Sequence, residues 1–370
     1  MKLFQFELKK MIFNKRFLYL MLFILFFISA LFLRNHIFQV TIKQEREAYI
    51  LSSIQESERT VNELQQSILN NPNDEIAKEQ EIQMAVIVNT LYDLRSAFNA
   101  NNWRQELEIE NLYLKQVQAY KTGGGEFSLQ NNQINKTLAL NAEHLATNIE
   151  PQHTAYSKAM PNFMKQVVDL LLNFGAIIIL LIIIGDSLTR EFKQRSIYFL
   201  FTQPLKKSTI IHSKFWSAFF IYVLIILCSF IVTVCIPFFF GEQGTFSYPI
   251  LIEQNGTYSF ITIKEYLAYT IISVTAIIML VLSLNLFISL LFKNTIVSMI
   301  LLVSLLIGGY GILYQLSFFN IEWYNPFQYV FTKETITETG YYWYKGIGVT
   351  LVLAFLCYFF AIWRIRFVRS

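Results

Sequence analysis

The residues able to do chemistry concentrate between Gly185 and Phe215, where the chain reads GDSLTREFKQRSIYFLFTQPLKKSTIIHSKF. Arg190, Lys193, Arg195, Lys206, Lys207 and Lys214 stand there against only Asp186 and Glu191. These groups suit ion pairing and docking rather than bond-breaking. The chain has no GxxxxGKS/T phosphate loop, so it cannot bind nucleotide in that way, and with no HExxH, no GxSxG and no paired-His metal spacing no enzymatic chemistry is expected within it. His36, His144, His153 and His212 are scattered. Cys228, Cys235 and Cys357 all lie inside apolar runs without a CxxC, which suits small apolar residues better than ligands. A second polar group is Lys165, Asp169 and Asn173, spaced four apart and therefore on one helical face at the start of an apolar run. An ionisable residue within a span is a functional candidate, but a shallow, locally paired, water-exposed Asp169 is the stronger reading. Asn285 and Gln315 are further polar candidates for helix contacts.

The elements that must position these groups are membrane spans. The chain is 54% hydrophobic and 15% charged, against roughly 25% charged for a soluble domain, and its apolar residues cluster into long blocks. Residues 1–16 place Lys2, Lys9, Lys10, Lys15 and Arg16 among Leu, Phe, Met and Ile, the pattern of an amphipathic interfacial helix. Spans are expected at 17–33, 167–185, 216–240, 266–292, 295–316 and 346–363, joined by loops at 186–215, 241–265 and 317–345 and ending in a tail at 364–370. Six spans put both termini on one side. Segments 1–16, 186–214, 293–294 and 364–370 then carry 15 Lys/Arg against 3 Asp/Glu, which assigns that side to the cytosol. The cations sit at membrane edges and not in an aromatic-interleaved patch, so no nucleic-acid partner is expected.

Residues 34–166 are polar and have no run long enough to span. Leu51, Ile54, Val61 and Ile68, with Leu64 flanking, suggest a long helix with a coiled-coil seam. Asn70 to Asp74 reads as a turn, with helical pattern resuming through Ile76 to Leu94 and again from Leu107 to Tyr120. A looser return segment is expected from 126 to 160. The resulting class is an all-α polytopic membrane protein: six transmembrane helices, an N-terminal amphipathic helix and a large helical, coiled-coil-like extracellular domain between the first two spans.

The spacing D-x4-E-x4-S-x7-P-x2-K-x6-K, here Asp186, Glu191, Ser196, Pro204, Lys207 and Lys214, resembles the permease subunits of ABC-2 type exporters. The opening FELKKMIFNKRF is similar to that family's amphipathic start. Two departures stand out: Arg195 sits where many members have Gly, and a large domain replaces the short first loop of the simplest members. The resemblance implies that Arg190–Pro204 contains a coupling helix docking into a separate ATPase. Asp186, Arg190, Arg195, Lys207 and Lys214 would belong to that coupling region. Glu191 would serve there as an anchoring salt bridge or helix cap, and Tyr198, Phe199, Leu200 and Phe201 as contact surface. It also implies two ATPase copies carrying ATP and Mg, a second permease half, identical or related, and no cofactor or catalysis in this chain. The expected function is export of an amphipathic, peptide or lipid-like substrate, with antimicrobial-peptide resistance as one form. The alternative is ATP-driven mechanical signalling, in which the outer domain regulates an envelope partner without transport.

Overall fold

The computed structural model describes residues 2–203, 205–254, 257–315, 324–339 and 343–367. Pro204, Trp323, Tyr341, Tyr342 and Arg369 lie outside the described residues. The chain divides into two compact units, Met1–Leu33 with Lys158–Ser370, and Arg34–Ser157.

The first unit is a helical bundle. A short amphipathic helix α1 (Lys2–Ile12) is followed by α2 (Lys15–Ile37). Helices α7 (Met160–Leu171), α8 (Phe174–Ile184), α9 (Ser187–Lys193) and α10 (Ser196–Thr202) precede the long α11 (Lys207–Phe240). Then come α12 (Ile263–Phe292), α13 (Thr295–Gln315), α14 (Thr332–Thr339) and α15 (Lys345–Arg366). Among the described residues five helices are long and apolar enough to cross a membrane, and the pair Met160–Leu171 and Phe174–Lys193 makes a sixth if read as one span bent by 56°.

Helix α12 is the centre. Its apolar window is 72% buried, against 17–28% for the other single spans, and α15 packs most extensively on it. Its start is set by a capping box, in which Glu265 N–H bonds Thr262 Oγ1 and Thr262 N–H bonds Glu265 Oε2 at 2.8 Å. Gly309 of α13 lies against Phe327, where a Cβ would come within 2.6 Å of the ring, whereas Gly308 and Gly311 face open space.

Several expected boundaries move. The second span does not begin at 167: helix starts at Met160 and breaks at Leu172–Asn173, because Asn173 leaves the helical conformation with ψ −140°. The third apolar helix begins at Lys207 rather than 216, so the basic end of the loop is already helical. The link at 241–265 holds an antiparallel hairpin, β1 (Pro249–Gln254) paired with β2 (Thr257–Thr262), with Ile250 opposite Ile261 and Ile252 opposite Ser259. In β2 Tyr258 and Phe260 flank Ser259, which suits a half-buried strand; apart from this one hairpin the described chain is helical, an all-α polytopic membrane class.

The second unit is a bundle of α3 (Gln39–Asn70), α4 (Glu75–Asn99), α5 (Trp103–Thr122) and α6 (Asn131–Thr147). The Asn70–Asp74 turn is present, and Asp74 caps α4 through Ala77 N–H. The core holds Ile50, Ile54, Met84, Ile87, Leu91 and Leu94 with Tyr113, Leu114 and Val117. The expected seam is thus half right: Ile54 is buried, while Val61 and Leu64 are partly covered. The return segment is not loose, since α6 occupies its middle and buries Ile134.

Candidate functional site

Helix α1 carries Phe4, Glu7, Leu8 and Met11 on one stripe, so a carboxylate interrupts an otherwise apolar face. That face packs on α11, burying Glu7 against Lys214. Lys214 Nζ lies 3.2 Å from Glu7 Oε1 and 2.8 Å from Glu191 Oε1, and Lys10 Nζ lies 2.6 Å from the same Glu191 oxygen. The Lys214, Glu7 and Glu191 side chains are 1%, 2% and 7% exposed, and Lys10 is 48% exposed. Beside them Arg16 Nη1 meets Asp186 Oδ2 at 2.8 Å.

Two carboxylates and two ammonium groups thus form a neutral clasp joining α1, α9 and α11. Isolated, each of these ions would carry a desolvation cost of several kcal/mol, and only its partners offset it. Burial draws the Lys10 proton affinity down, but the hydrogen bond and charge of Glu191, with Glu7 behind it, outweigh that and hold the ammonium above the usual lysine value. The second oxygens of Glu7 and Glu191 have no protein donor among the described residues, which makes them places for ordered water.

The outward side of this end is different. Arg190, Lys193 and Arg195 are exposed, and Phe199 is 75% exposed. Tyr198 and Phe201 are half-buried, pack edge to face and rest on the bundle core. Leu200 is half-buried, and Lys207 places its ammonium over the Phe201 ring at 4.8 Å. The turn between α9 and α10 runs through Arg195 at φ 58°, a left-handed conformation that favours glycine. The Thr189 and Thr295 hydroxyls meet at 2.7 Å, and Lys293 sits over Phe192, tying α9 to the α12–α13 turn.

The expected coupling residues therefore fall into two sets. Asp186, Glu191 and Lys214 turn inward and are occupied by this chain's own charges. Arg190, Arg195 and Phe199 face outward. Glu7, Lys10 and Arg16 were not among the expected site residues. The misplaced carboxylate in the apolar stripe of α1 is the signal that would have found Glu7.

At the break in the bent pair, Asp169 accepts from Lys165 at 2.8 Å and from the Tyr266 hydroxyl at 2.6 Å. Asn173 Nδ2 donates to Glu334 at 3.2 Å, and its Oδ1 is buried without a partner among the described residues. Within a membrane, irregular backbone persists only where protein or a cavity satisfies it. An apolar groove runs alongside, lined by Met164, Val168 and Leu172 before the break, Leu180 after it, and Tyr222 and Ile225 of α11. Asn285 is buried with Oδ1 unpaired among the described residues, and Gln315 is exposed, so neither joins this cluster. Among the described residues no three His, Cys, Asp or Glu side chains converge as a metal site would require.

No curated protein and no solved structure matches the chain. The family model described as ABC-2 family transporter protein matches residues 1–362, a range that takes in the amphipathic start, the ionic clasp, the broken span and the apolar helices up to most of α15. The chain therefore belongs to the ABC-2 family and is a multi-pass permease, the membrane subunit of an ABC transporter.

Proposed function

We propose that this permease exports an amphipathic, peptide or lipid-like substrate, driven by two copies of a separate ATPase and completed by a second permease half. Its basic end faces the cytosol, and α9–α10 is the element the ATPase grips. One observation carries this reading: Arg190 and Lys193 of α9, Arg195 of the turn and Phe199 of α10 stand exposed, while the other side of α9 is fixed by the buried Glu191–Lys214 pair and α10 rests on the core through Tyr198 and Phe201. A rigidly seated short helix transmits displacement, whereas a floppy loop absorbs it. The clasp would carry an ATP-driven push on α9 into both α1 and α11. Antimicrobial-peptide export is one form of the substrate reading, supported by the apolar groove beside the broken span.

The test is co-purification with the cognate ATPase, followed by ATP-dependent flux in vesicles. Phe199→Ser with Arg190→Glu should lose the ATPase while the permease stays folded. Retention of the ATPase in that variant would sink the docking assignment, and ATP hydrolysis without flux of any amphipathic probe would sink export. The second reading, mechanical signalling, draws support from the separately packed core of Arg34–Ser157. It expects hydrolysis without flux.

A further inference from the structure

In the second unit, helix α5 covers α4 and reaches α3, closing one side of the α3–α4 pair. Another side stays open. There a groove of about 360 Å³ is lined by Glu58, Val61 and Asn62 of α3 and by Ala85, Val88 and Asn89 of α4. Half of its lining is apolar, from Val61, Ala85 and Val88, and half is polar, from Glu58, Asn62 and Asn89. Its edges are acidic in a particular way. Glu58 accepts a hydrogen bond from the Tyr92 hydroxyl at 2.7 Å, and Glu81, one turn from Ala85, accepts from Gln65 Nε2 at 2.9 Å. Both donors are neutral, and neither carboxylate is in an ion pair among the described residues. The groove therefore keeps negative charge on both helices, Glu58 in its lining and Glu81 one turn beyond it, offset in part by Arg95 near Tyr92. The surrounding unit reinforces it, with 16 Asp/Glu against 10 Lys/Arg between residues 34 and 157.

We infer that this groove docks a cationic amphipathic helix. The apolar stripe of such a helix would lie over Val61, Ala85 and Val88, and its Lys or Arg side chains would reach Glu58 and Glu81. Helix-in-groove recognition needs an apolar seam with selective flanking charge, and the short side chain of Ala85 lets a partner backbone come close. A second copy of this hairpin is a poor occupant. Self-pairing through one patch sets like residues near one another, which here brings carboxylates against carboxylates. The inference does not depend on what crosses the membrane, so its failure leaves the exporter reading standing and the reverse also holds.

The experiment uses the full chain in nanodiscs of zwitterionic lipid, with empty nanodiscs as baseline. Fluorescence anisotropy follows a labelled Leu/Lys amphipathic peptide and a Leu/Gln peptide of the same pattern. The cationic peptide should bind, the neutral one should not, and added salt should weaken binding. Replacing both carboxylates, Glu58→Gln with Glu81→Gln, should lower affinity at least about fivefold. Ala85→Trp should abolish binding by filling the groove, and the two Gln substitutions provide a readout that does not risk the fold. Equal binding of the neutral peptide, unchanged affinity in the Gln variant, or self-association of the chain through this groove would each overturn the proposal.

Discussion

Both units bury charge, but they use it differently. In the membrane unit, Glu7, Lys10, Glu191 and Lys214 come from three helices separated by up to 207 positions, and α1 adds only Met11 as a fully buried apolar side chain. In the other unit, Arg46 bridges Glu106 and Glu110 at 2.9 Å each, and Asn141 donates to Glu110 at 3.0 Å, around a continuous apolar core. Ionic contacts thus hold α1 in place in the first case. In the second they set register among helices that apolar burial already holds together. The guanidinium of Arg46 loses ground to burial but is held above its usual proton affinity by Glu110 and Glu106.

Lys214→Met tests the first half of that contrast and should have the largest effect. It leaves Glu7 and Glu191 buried without their shared cation, at a cost of about 3–5 kcal/mol. Melting in detergent should fall steeply, and α1 should become sensitive to protease. The pair Glu7→Gln with Lys214→Met should recover part of the loss, because Glu191 keeps Lys10 as a partner and Glu7 is the carboxylate that the single change strands. An unchanged melting temperature in the single variant would mean that the clasp is not what holds α1.

Arg46→Leu tests the second half. The ion pair is less buried, with Arg46 28% exposed, and Glu110 retains Asn141 as a donor. A loss of about 2 kcal/mol is expected. Hydrogen exchange should rise along α3, α5 and α6 and not along α12. A rise of equal size in both units would erase the distinction between clasp and register.

The apolar runs were legible because a span needs length and hydropathy that few other elements have. The turn at Asn70–Asp74 was legible through its Asn, Pro and Asp content. The bend at Asn173 was not. It depends on Glu334, far along the chain, accepting the Asn173 amide, and a local pattern carries no trace of such a partner. The site divided in the same way. Glu191 and Lys214 stood out by type and spacing, but whether they face a partner or each other is decided by how α9 and α11 pack. Arg195 lay between these cases. Its departure from glycine was visible, and its φ of 58° explains why glycine suits that turn.

Arg195→Gly follows from that strain. Relieving a left-handed conformation at a non-glycine residue should stabilise the α9–α10 turn by about 1 kcal/mol, a smaller effect than either charge deletion. The melting temperature should rise slightly. Arg195 is also an exposed cation beside Phe199, so ATPase affinity should fall if the side chain contacts the partner. A rise in stability with no change in ATPase binding would restrict Arg195 to a turn residue, and a fall in stability would contradict the strain.

The smallest expected effect separates the units by pH. His144 of α6 is buried, and burial lowers its proton affinity below the ordinary 6.5; the Ile149 carbonyl and the charge of Glu143 oppose this without reversing it. Its Nδ1 lies 3.0 Å from that carbonyl, which only accepts, so the neutral ring donates from Nδ1. A base with a depressed folded value binds more protons when unfolded. Its stabilising contribution is therefore complete above the unfolded value of 6.5 and is lost as pH falls from there toward the lower folded value. Amide protection factors along α6 should fall as pH drops below the ordinary histidine value of 6.5, by an amount that His144→Gln removes. In the clasp, Lys10 is shifted the opposite way: its contribution is complete below the ordinary lysine value and fades only as pH rises past it. Mild acid should thus loosen α6 while leaving α1 seated. Parallel loosening of both helices over that range would show that the clasp, too, depends on a group titrating near neutrality.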